Sequence, residues 1–345
     1  MIDSISAPKE SSIVGPLNEN WFRRLWRFVR RANSLLIWSL VAVGLVLRFT
    51  IRDQFHPWAI VYYLTPIASL PIWLVLAKLL WGRIGDAKVS QSNKLLNGLN
   101  LIAIVGCAVW AFCSENIEKA KTPSSTDIPI VYWNTANATW GVDRLAAQII
   151  KWDAPVVGLI EANSYYPSTL KEWQSQLPEY KVVHAHFGGL IAVKGTVKKQ
   201  ISHRLAPSSW CEQFDLVVGD DELTLLLVDI SAQLSLSRRQ PLQDLADLAE
   251  NLNDRPLIIL GDFNTPDDSV HLRPLNDQCR NIFRENGTGY AATWPMPLPV
   301  LALDQVWVNE HVNASKCEHL WSIFSDHRPV ISSVTFQKPF EQVIQ

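Results

Sequence analysis

The stretch Leu257-Ile258-Ile259-Leu260-Gly261-Asp262-Phe263-Asn264-Thr265-Pro266 joins four large aliphatic residues to a Gly, an Asp and an Asn. A short apolar run bounded by polar residues is typical of a strand that is buried on both faces. Gly-Asp-Phe-Asn then lies where the strand ends, and in layered α/β folds side chains at that place can reach a ligand. Asp and Asn are also common turn residues, so this stretch alone favours an ordinary turn.

Four further stretches place acidic, amide or histidine side chains next to apolar runs. They are Ile130–Asn134, Val156–Glu161, Leu303–Trp307 and Ser325–Pro329. In this order and at this spacing the motifs resemble the endonuclease/exonuclease/phosphatase superfamily, which includes DNase-like nucleases, apurinic-site endonucleases, neutral sphingomyelinases and inositol polyphosphate phosphatases. The resemblance covers Asp127 to Phe336, and the ordered set is much more specific than any single motif.

The resemblance implies a fold and a metal site. The fold is a four-layer α/β sandwich, in which two mixed β-sheets pack face to face with helices outside; the alternation of strand and helix patterns alone supports only an α/β fold. Glu161 is implied as the principal ligand of Mg²⁺ or Mn²⁺, with Asn134 beside it and Asp326 supporting the metal region. Hard divalent cations prefer oxygen ligands of these kinds.

The resemblance also implies which residues perform the chemistry. Asp262 would polarise a water molecule, and Asn264 would position water or phosphate. Asp304 would orient His327, whose imidazole, with an ordinary pKa of about 6.5, would act as a base or as a phosphate-binding cation. The roles of Asp262 and His327 could be exchanged. Gln305 stands where relatives often have His, and we expect it to tune activity.

A second departure from the family pattern follows the strand predicted over Leu223–Val228. Nuclease members usually place His or Tyr there, in contact with the scissile phosphate, whereas this chain has Asp229. An ionised Asp repels phosphate unless it is protonated, salt-bridged or bound to a second metal. Arg238 and Arg239 are therefore candidates for phosphate contact, although a solvated entry to the helix that follows is the simpler interpretation.

The chain has 345 residues, which is long enough for two domains. Its charged residues are distributed unevenly between the two parts. Residues 1–113 contain 12 Lys and Arg and 5 Asp and Glu. Residues 114–345 contain the other 19 Lys and Arg and 28 Asp and Glu, so their net charge is −9. An acidic surface repels a nucleic-acid backbone, so charge counts against a general nuclease. The five cysteines lack zinc-ligand spacing, and both a disulfide and buried thiols stay open.

The N-terminal part is predicted to be a membrane region. Residues 1–33 end in a basic, aromatic-rich segment, Trp21–Arg31, which we expect to be amphipathic and to lie at a membrane surface. Residues 34–113 are predicted to form three transmembrane helices that anchor the chain in a lipid bilayer. Their apolar runs are Leu35–Leu47, Ala59–Leu80 and Leu95–Cys113.

Basic residues predict the orientation of these helices. Arginines precede the first run, and Arg83, Lys88 and Lys94 lie between the second and third, so both segments are expected in the cytoplasm. Three spans then place the C-terminal domain outside the cytoplasm, as in a multi-pass protein of a bacterial inner membrane that faces the periplasm or the exterior. The predicted divisions are a linker at 114–127, the catalytic domain at 128–337 and a tail at 338–345.

Composition and motifs leave three functional hypotheses. The first is a membrane-anchored, divalent-metal-dependent phosphodiesterase or phosphatase, with a lipid headgroup, a small phosphoester or nucleic acid as substrate and no obligate protein partner. The second is a binding module that keeps the fold but has little or no activity, because Asp229 has replaced a phosphate-contacting residue. The third, a purely structural membrane protein, does not explain why seven motif residues are present together.

Overall fold

The computed structural model describes residues 17–81, 91–122, 124, 126–206 and 208–336. Arg83, Lys88 and the predicted tail at 338–345 lie outside these ranges. The described helices are α1 Leu17–Phe49, α2 His56–Leu64, α3 Leu70–Trp81, α4 Gln91–Glu115, α5 Val142–Trp152, α6 Pro167–Gln176, α7 Arg239–Asn251, α8 Arg273–Asn276 and α9 Ile282–Asn286. The strands are β1 Asn116–Glu118, β2 Ile128–Asn134, β3 Val156–Ile160, β4 Lys181–His184, β5 Leu190–Val193, β6 Thr196–Leu205, β7 Ser209–Val218, β8 Asp221–Asp229, β9 Leu257–Asp262, β10 Arg280–Asn281, β11 Gly287–Tyr290, β12 Asp304–Val308, β13 Val312–His319 and β14 Val330–Phe336.

The strands form two mixed sheets. One sheet has the order β1-β11-β13-β14-β2-β3-β5-β4, and the other has the order β10-β12-β9-β8-β7-β6. Aliphatic side chains from both sheets form the central core, while α5 covers one outer face and α7 the other. The predicted α/β sandwich of two mixed sheets with outer helices is therefore confirmed.

Tight packing explains the glycine in the stretch that ends β9. A Cβ atom at Gly261 would lie 2.1 Å from the backbone oxygen of Val228 on the neighbouring strand β8. Only Gly allows β8 and β9 to approach this closely. Because the two strands are parallel and Asp229 pairs with Asp262, the same close approach brings their terminal carboxylates to one edge of the sheet.

The helical region differs from the prediction in two respects. The basic segment Trp21–Arg31 and the first apolar run are one continuous helix, α1, of 33 residues. The second run is broken, because Thr65 precedes Pro66 and a residue before Pro disfavours the α conformation. The chain bends by 48° there, so two helices are long and apolar enough to cross a membrane, or three if the bent pair α2–α3 counts as one span.

The globular part contains two features that the sequence patterns did not predict. The predicted linker at 114–127 is not simply a tether, because β1 within it pairs with β11 at the edge of the larger sheet. The antiparallel hairpin of β6 and β7 is the second such feature. The described cysteines are all free thiols, so no disulfide forms.

Candidate functional site

The motif residues meet at one end of the two sheets. β2, β3, β8 and β9 run towards this end, and the antiparallel strands β12 and β14 begin there. Side chains from both sheets therefore lie close together at this end. These residues are Asn134, Glu161, Asp229, Asp262, Asp304 and His327. We call this edge of the sandwich the active-site end.

Asp304 and His327 form the tightest pair of the site. The Nδ1 atom of His327 lies 2.7 Å from the Oδ2 atom of Asp304, and both side chains are buried. The Nε2 atom then faces Asp262, whose Oδ2 atom is 3.8 Å away. An imidazole held by a carboxylate on one nitrogen presents its other nitrogen in a fixed direction.

Burial and neighbouring charges set the protonation of this pair. Burial lowers the pKa of His327, but the charge and the hydrogen bond of Asp304 outweigh burial and hold that pKa well above its usual range. Burial raises the pKa of Asp262, while the charge of His327 opposes the increase. In the protein without metal, His327 is therefore an imidazolium at neutral pH, and it can stabilise a phosphoryl anion.

Asn134 connects this pair to Glu161. Its Nδ2 atom lies 3.1 Å from the Oε1 atom of Glu161, 3.2 Å from the Oδ2 atom of Asp262 and 3.5 Å from the Nε2 atom of His327. The other oxygen of Glu161, Oε2, accepts a hydrogen bond of 3.0 Å from Asn137. Sequence reasoning missed Asn137, and the only signal for it was an amide three residues after Asn134.

Two site residues have left-handed backbone conformations. Glu161 has φ 48° and Asn264 has φ 44°, in a region that non-glycine residues rarely adopt. Asn264 is held there because its backbone amide donates to Asp262 Oδ1 at 2.8 Å and its Nδ2 atom donates to the Ile230 carbonyl at 2.8 Å. Such conformations persist only where surrounding contacts determine them, and they are concentrated at functional sites.

Asp229 faces the same site from β8. Burial and then the charge of Glu161 raise its pKa to about 7, although His327 lowers it. A substantial fraction of Asp229 is therefore protonated at neutral pH. This matches one of the conditions under which an Asp can stand beside a phosphate.

The two arginines proposed for phosphate contact have different environments. The Nε atom of Arg238 donates to the carbonyl of Asn264 at 3.1 Å, and its Nη1 atom donates to the carbonyls of Gln233 and Leu236. Its guanidinium is thus committed to fixing the loop that carries Asn264, which argues against direct phosphate contact. Arg239 is exposed at the start of α7.

Asp326 and Gln305 stand slightly apart from the buried pair. The Oδ2 atom of Asp326 accepts a hydrogen bond of 3.2 Å from the indole of Trp294. Gln305 is buried, donates to the Thr265 carbonyl at 2.8 Å and accepts from Trp307. Gln305 therefore supports the loop after Asn264, and among the described residues it makes no hydrogen bond to His327.

Two hydroxyl groups that sequence reasoning missed hold motif residues of the site in place. Ser325 donates to the Asn134 carbonyl at 2.7 Å and accepts from the backbone amide of His327 at 3.1 Å. Thr293 accepts from the backbone amide of Asp304 at 3.2 Å. Each joins segments that are distant in the chain, so no local pattern indicates the contact.

The residues present fit a divalent cation. Among the described residues, Asp262, Asp304 and His327 each offer a ligand atom within 4.8 Å of the others. The Oδ1 atom of Asp304 is buried and has no hydrogen-bond partner in the described part of the chain. The Nδ2 atom of Asn134 donates to Oε1 of Glu161 and so places that carboxylate beside this group, which brings together the carboxylate oxygens that a hard cation requires.

The fold and the site together define a class, the phosphoester hydrolases built on an α/β sandwich. The sequence profile of the Endonuclease/Exonuclease/phosphatase family matches residues 131–327, and the chain belongs to that family. A search of curated proteins found no significant match.

Solved structures show the same fold. A family protein from Bacteroides thetaiotaomicron superposes with a TM-score of 0.52 at 14% identity, over 63% of this chain and 100% of its own. The human Nocturnin catalytic domain, solved with bound sulfate, gives 0.51 at 17% identity over 63% and 97%. A mannosyl-6-phosphatase from Bacteroides thetaiotaomicron gives 0.50 at 14% identity over 61% and 100%.

Proposed function

We propose that this protein is a divalent-metal-dependent phosphoester hydrolase, a phosphodiesterase or phosphatase, anchored in a membrane by its N-terminal helices. The observation that carries the proposal is the buried Asp304–His327 pair, which faces Asp262 and is linked through Asn134 to Glu161. Hydrolysis of a phosphoester needs positive charge on the phosphoryl oxygens, a positioned water and help for the leaving oxygen. This group of residues can meet all three needs.

Glu161 and Asn134 would hold Mg²⁺ or Mn²⁺, with Asp326 supporting that region. A bound cation neutralises charge on the phosphoryl group and lowers the pKa of a water molecule. Asp304 uses its Oδ2 atom to hold His327, and its buried Oδ1 atom would be available to support the cation beside Glu161.

Other residues of the site would position the phosphoryl group and the attacking water. Asp304 fixes the direction of His327, whose Nε2 atom faces the space beside Asp262. A protonated His327 donates a hydrogen bond to a phosphoryl oxygen, and Asp262, whose ionised form the charge of His327 favours, polarises the attacking water. Asn264, whose backbone is fixed by Arg238, orients the water or the phosphate. Asp229 faces the same space, and in its protonated form it is compatible with a bound phosphate.

The membrane part of the proposal is supported by α1 and α4, which are long and apolar enough to cross a membrane. The basic residues that precede the first apolar run favour a cytoplasmic N-terminal side, and three spans would put the catalytic domain outside the cytoplasm.

An inert binding module is the alternative to an enzyme. The departures at Asp229 and Gln305 favour it. The enzyme is better supported, because the seven residues matched to the family motifs are present and six of them are connected by short contacts or by strand ends at one site. Loss of catalysis removes the selection that keeps such a constellation together.

The test uses the full-length chain in detergent and a water-soluble activated phosphodiester, bis(4-nitrophenyl) phosphate. We expect hydrolysis with Mg²⁺ or Mn²⁺ and none with EDTA. Glu161→Ala and His327→Ala should each lower the rate by at least ~100-fold, the usual scale for losing an electrostatic or acid–base group. His311→Ala is the matched control, because His311 lies between β12 and β13, at the opposite end of the sheets. Equal rates in all these samples would end the enzyme proposal.

A further inference from the structure

The catalytic domain is joined to the helical region at its active-site end. β11 and β13 run towards the active-site end, and β1 starts there, because Asn116 pairs with Tyr290. The chain therefore leaves α4 and enters the larger sheet at its active-site end. The backbone amide of Ala291, in the loop that follows β11, donates to the Glu115 carbonyl at 2.7 Å.

The loop between α1 and α2 makes a second connection at the same end. The Oδ1 atom of buried Asp53 accepts a hydrogen bond of 3.0 Å from the amide of Val270, in the loop that follows β9. His56 Nε2 lies 2.8 Å from the carbonyl of Leu234, in the loop that follows β8. Arg48 forms an ion pair with Asp268.

These two connections flank the catalytic residues. One involves the loops that leave β8 and β9, directly after Asp229 and Asn264. The other involves the loop that leads from β11 to Asp304. The helical region approaches the domain at Phe49–His56 and at Glu115. Both of these segments contact the active-site end. The active-site end therefore faces the helices that are long enough to cross a membrane.

The exposed apolar side chains of the domain are also concentrated at the active-site end. Among the described residues from 116 to 336, eight large apolar side chains are exposed, and seven of them lie on loops at the active-site end. The seven are Trp140, Tyr165, Tyr166, Leu234, Leu298, Trp321 and Ile323. We call them the apolar rim. The eighth, Ile150, lies near the end of α5, away from the catalytic residues.

The rim residues lie on the loops that carry or adjoin the candidate catalytic residues. Trp321 and Ile323 are 62% and 77% exposed on the loop that leads into His327, and Leu298, at 72%, follows Trp294, which contacts Asp326. Water does not favour several exposed apolar side chains on one face of a soluble domain, and such a face marks a contact with a protein or a membrane. Trp and Tyr are also the residues that favour the membrane–water interface.

We infer that the active-site end rests against the surface of the bilayer that holds the helices, and that the substrate is a phosphoester in the headgroup of a membrane lipid. The inference rests on the proposed hydrolase function and names its substrate class. The bilayer is the occupant because the helical region already fixes the domain to it at this end. A lipid also suits the net charge of −9 on residues 114–345, since a headgroup needs no long basic groove.

The first experiment compares two forms of the same phosphoester. Full-length protein is reconstituted in phosphatidylcholine vesicles doped in turn with phosphatidylglycerol, phosphatidic acid, phosphatidylinositol phosphates or sphingomyelin, and headgroup release is measured with Mn²⁺. The water-soluble deacylated headgroup esters are assayed in parallel. We expect at least ~10-fold higher kcat/KM for one of the lipids than for its deacylated counterpart. An equal or higher value for every soluble ester overturns the inference.

The second experiment removes part of the rim. The double variant Leu298→Ser and Ile323→Ser should lose at least ~10-fold in the rate on the vesicle lipid and keep its rate on bis(4-nitrophenyl) phosphate, because both side chains are largely exposed to solvent. Ile150→Ser, at the exposed apolar site outside the rim, is the matched control and should change neither rate. Equal loss on both substrates, or no loss on the lipid, contradicts a bilayer contact.

Failure of this inference differs from failure of the proposed function. A wild-type protein that hydrolyses the soluble diester with metal, and no lipid, retains the hydrolase function and loses the lipid assignment. A protein that hydrolyses neither substrate loses both. Fastest cleavage of plasmid DNA, dependent on His327, identifies a nuclease instead.

Discussion

Asp53 in the loop between α1 and α2 accepts a hydrogen bond from the backbone amide of Val270, 217 residues further along the chain, at 3.0 Å. The same carboxylate accepts from the hydroxyl of Ser269 and, at 3.1 Å, from the hydroxyl of Tyr63. One buried carboxylate thus joins the helical region to the loop that begins at Asn264. A group from the helical region thereby helps to fix a loop of the candidate site.

Replacement of Asp53 should destabilise that loop. In Asp53→Ala the donors of Ser269 and Val270 lose their acceptor, and a buried unpaired polar group costs about 1–3 kcal/mol. We expect a lower unfolding temperature of the full-length protein in detergent and a lower kcat on a soluble diester with little change in KM. Asp254→Ala is the control, since Asp254 is exposed and bonded only to Arg255 among its described contacts. A variant with wild-type kcat and stability contradicts the role of Asp53.

Asp304→Asn should change the charge of His327. The pKa of His327 is held above its usual range by Asp304, so the imidazolium persists at neutral pH and is lost only as the pH rises through that higher pKa. With the carboxylate gone, burial lowers the pKa of His327 and only the charges of Asp262 and Asp326 oppose it, so the imidazolium is less favoured at pH 7. We expect a loss of activity on the order of 100-fold or more. Nitrogen NMR chemical shifts of His327 measure its protonation directly, and an unchanged imidazolium signal contradicts the assignment.

Asp229 should make the rate depend on pH. Its pKa is raised to about 7, so the carboxyl is protonated below that pH and becomes an anion above it. Because the anion repels a phosphodiester, kcat/KM for bis(4-nitrophenyl) phosphate should fall as the pH rises through 7. Asp229→Asn should remove this decline. A decline of the same size in the variant shows that another group titrates.

The proposed orientation of the helices can be tested with fused reporters. A reporter after Gln345 should be active only outside the cytoplasm, and a reporter near Asp86 only inside it. The bent pair α2–α3 fits either a broken span or a re-entrant loop, and the two arrangements place the C-terminus on opposite sides. A cytoplasmic C-terminus means that one of the three segments does not cross.

The sequence by itself indicated the family, the α/β class, the apolar helices and the motif residues of the site. These features depend on local patterns: buried strands are short apolar runs, and acidic or amide residues follow them at their ends. The resemblance supplied the four-layer architecture. Strand ends then brought Asn134, Glu161, Asp262, Asp304 and His327 together, because parallel neighbours end at the same edge of a sheet.

Only the tertiary structure decided which partner each polar group has. Asn137 bonds to Glu161, Arg238 to the backbone of Asn264, and β1 completes a sheet edge within a segment that looked like a tether. The sequence also gave no sign that the active-site end faces the helical region. That orientation depends on contacts such as the bond between Asp53 and Val270, whose partners lie far apart in the chain, and no local pattern encodes the pairing of such distant groups.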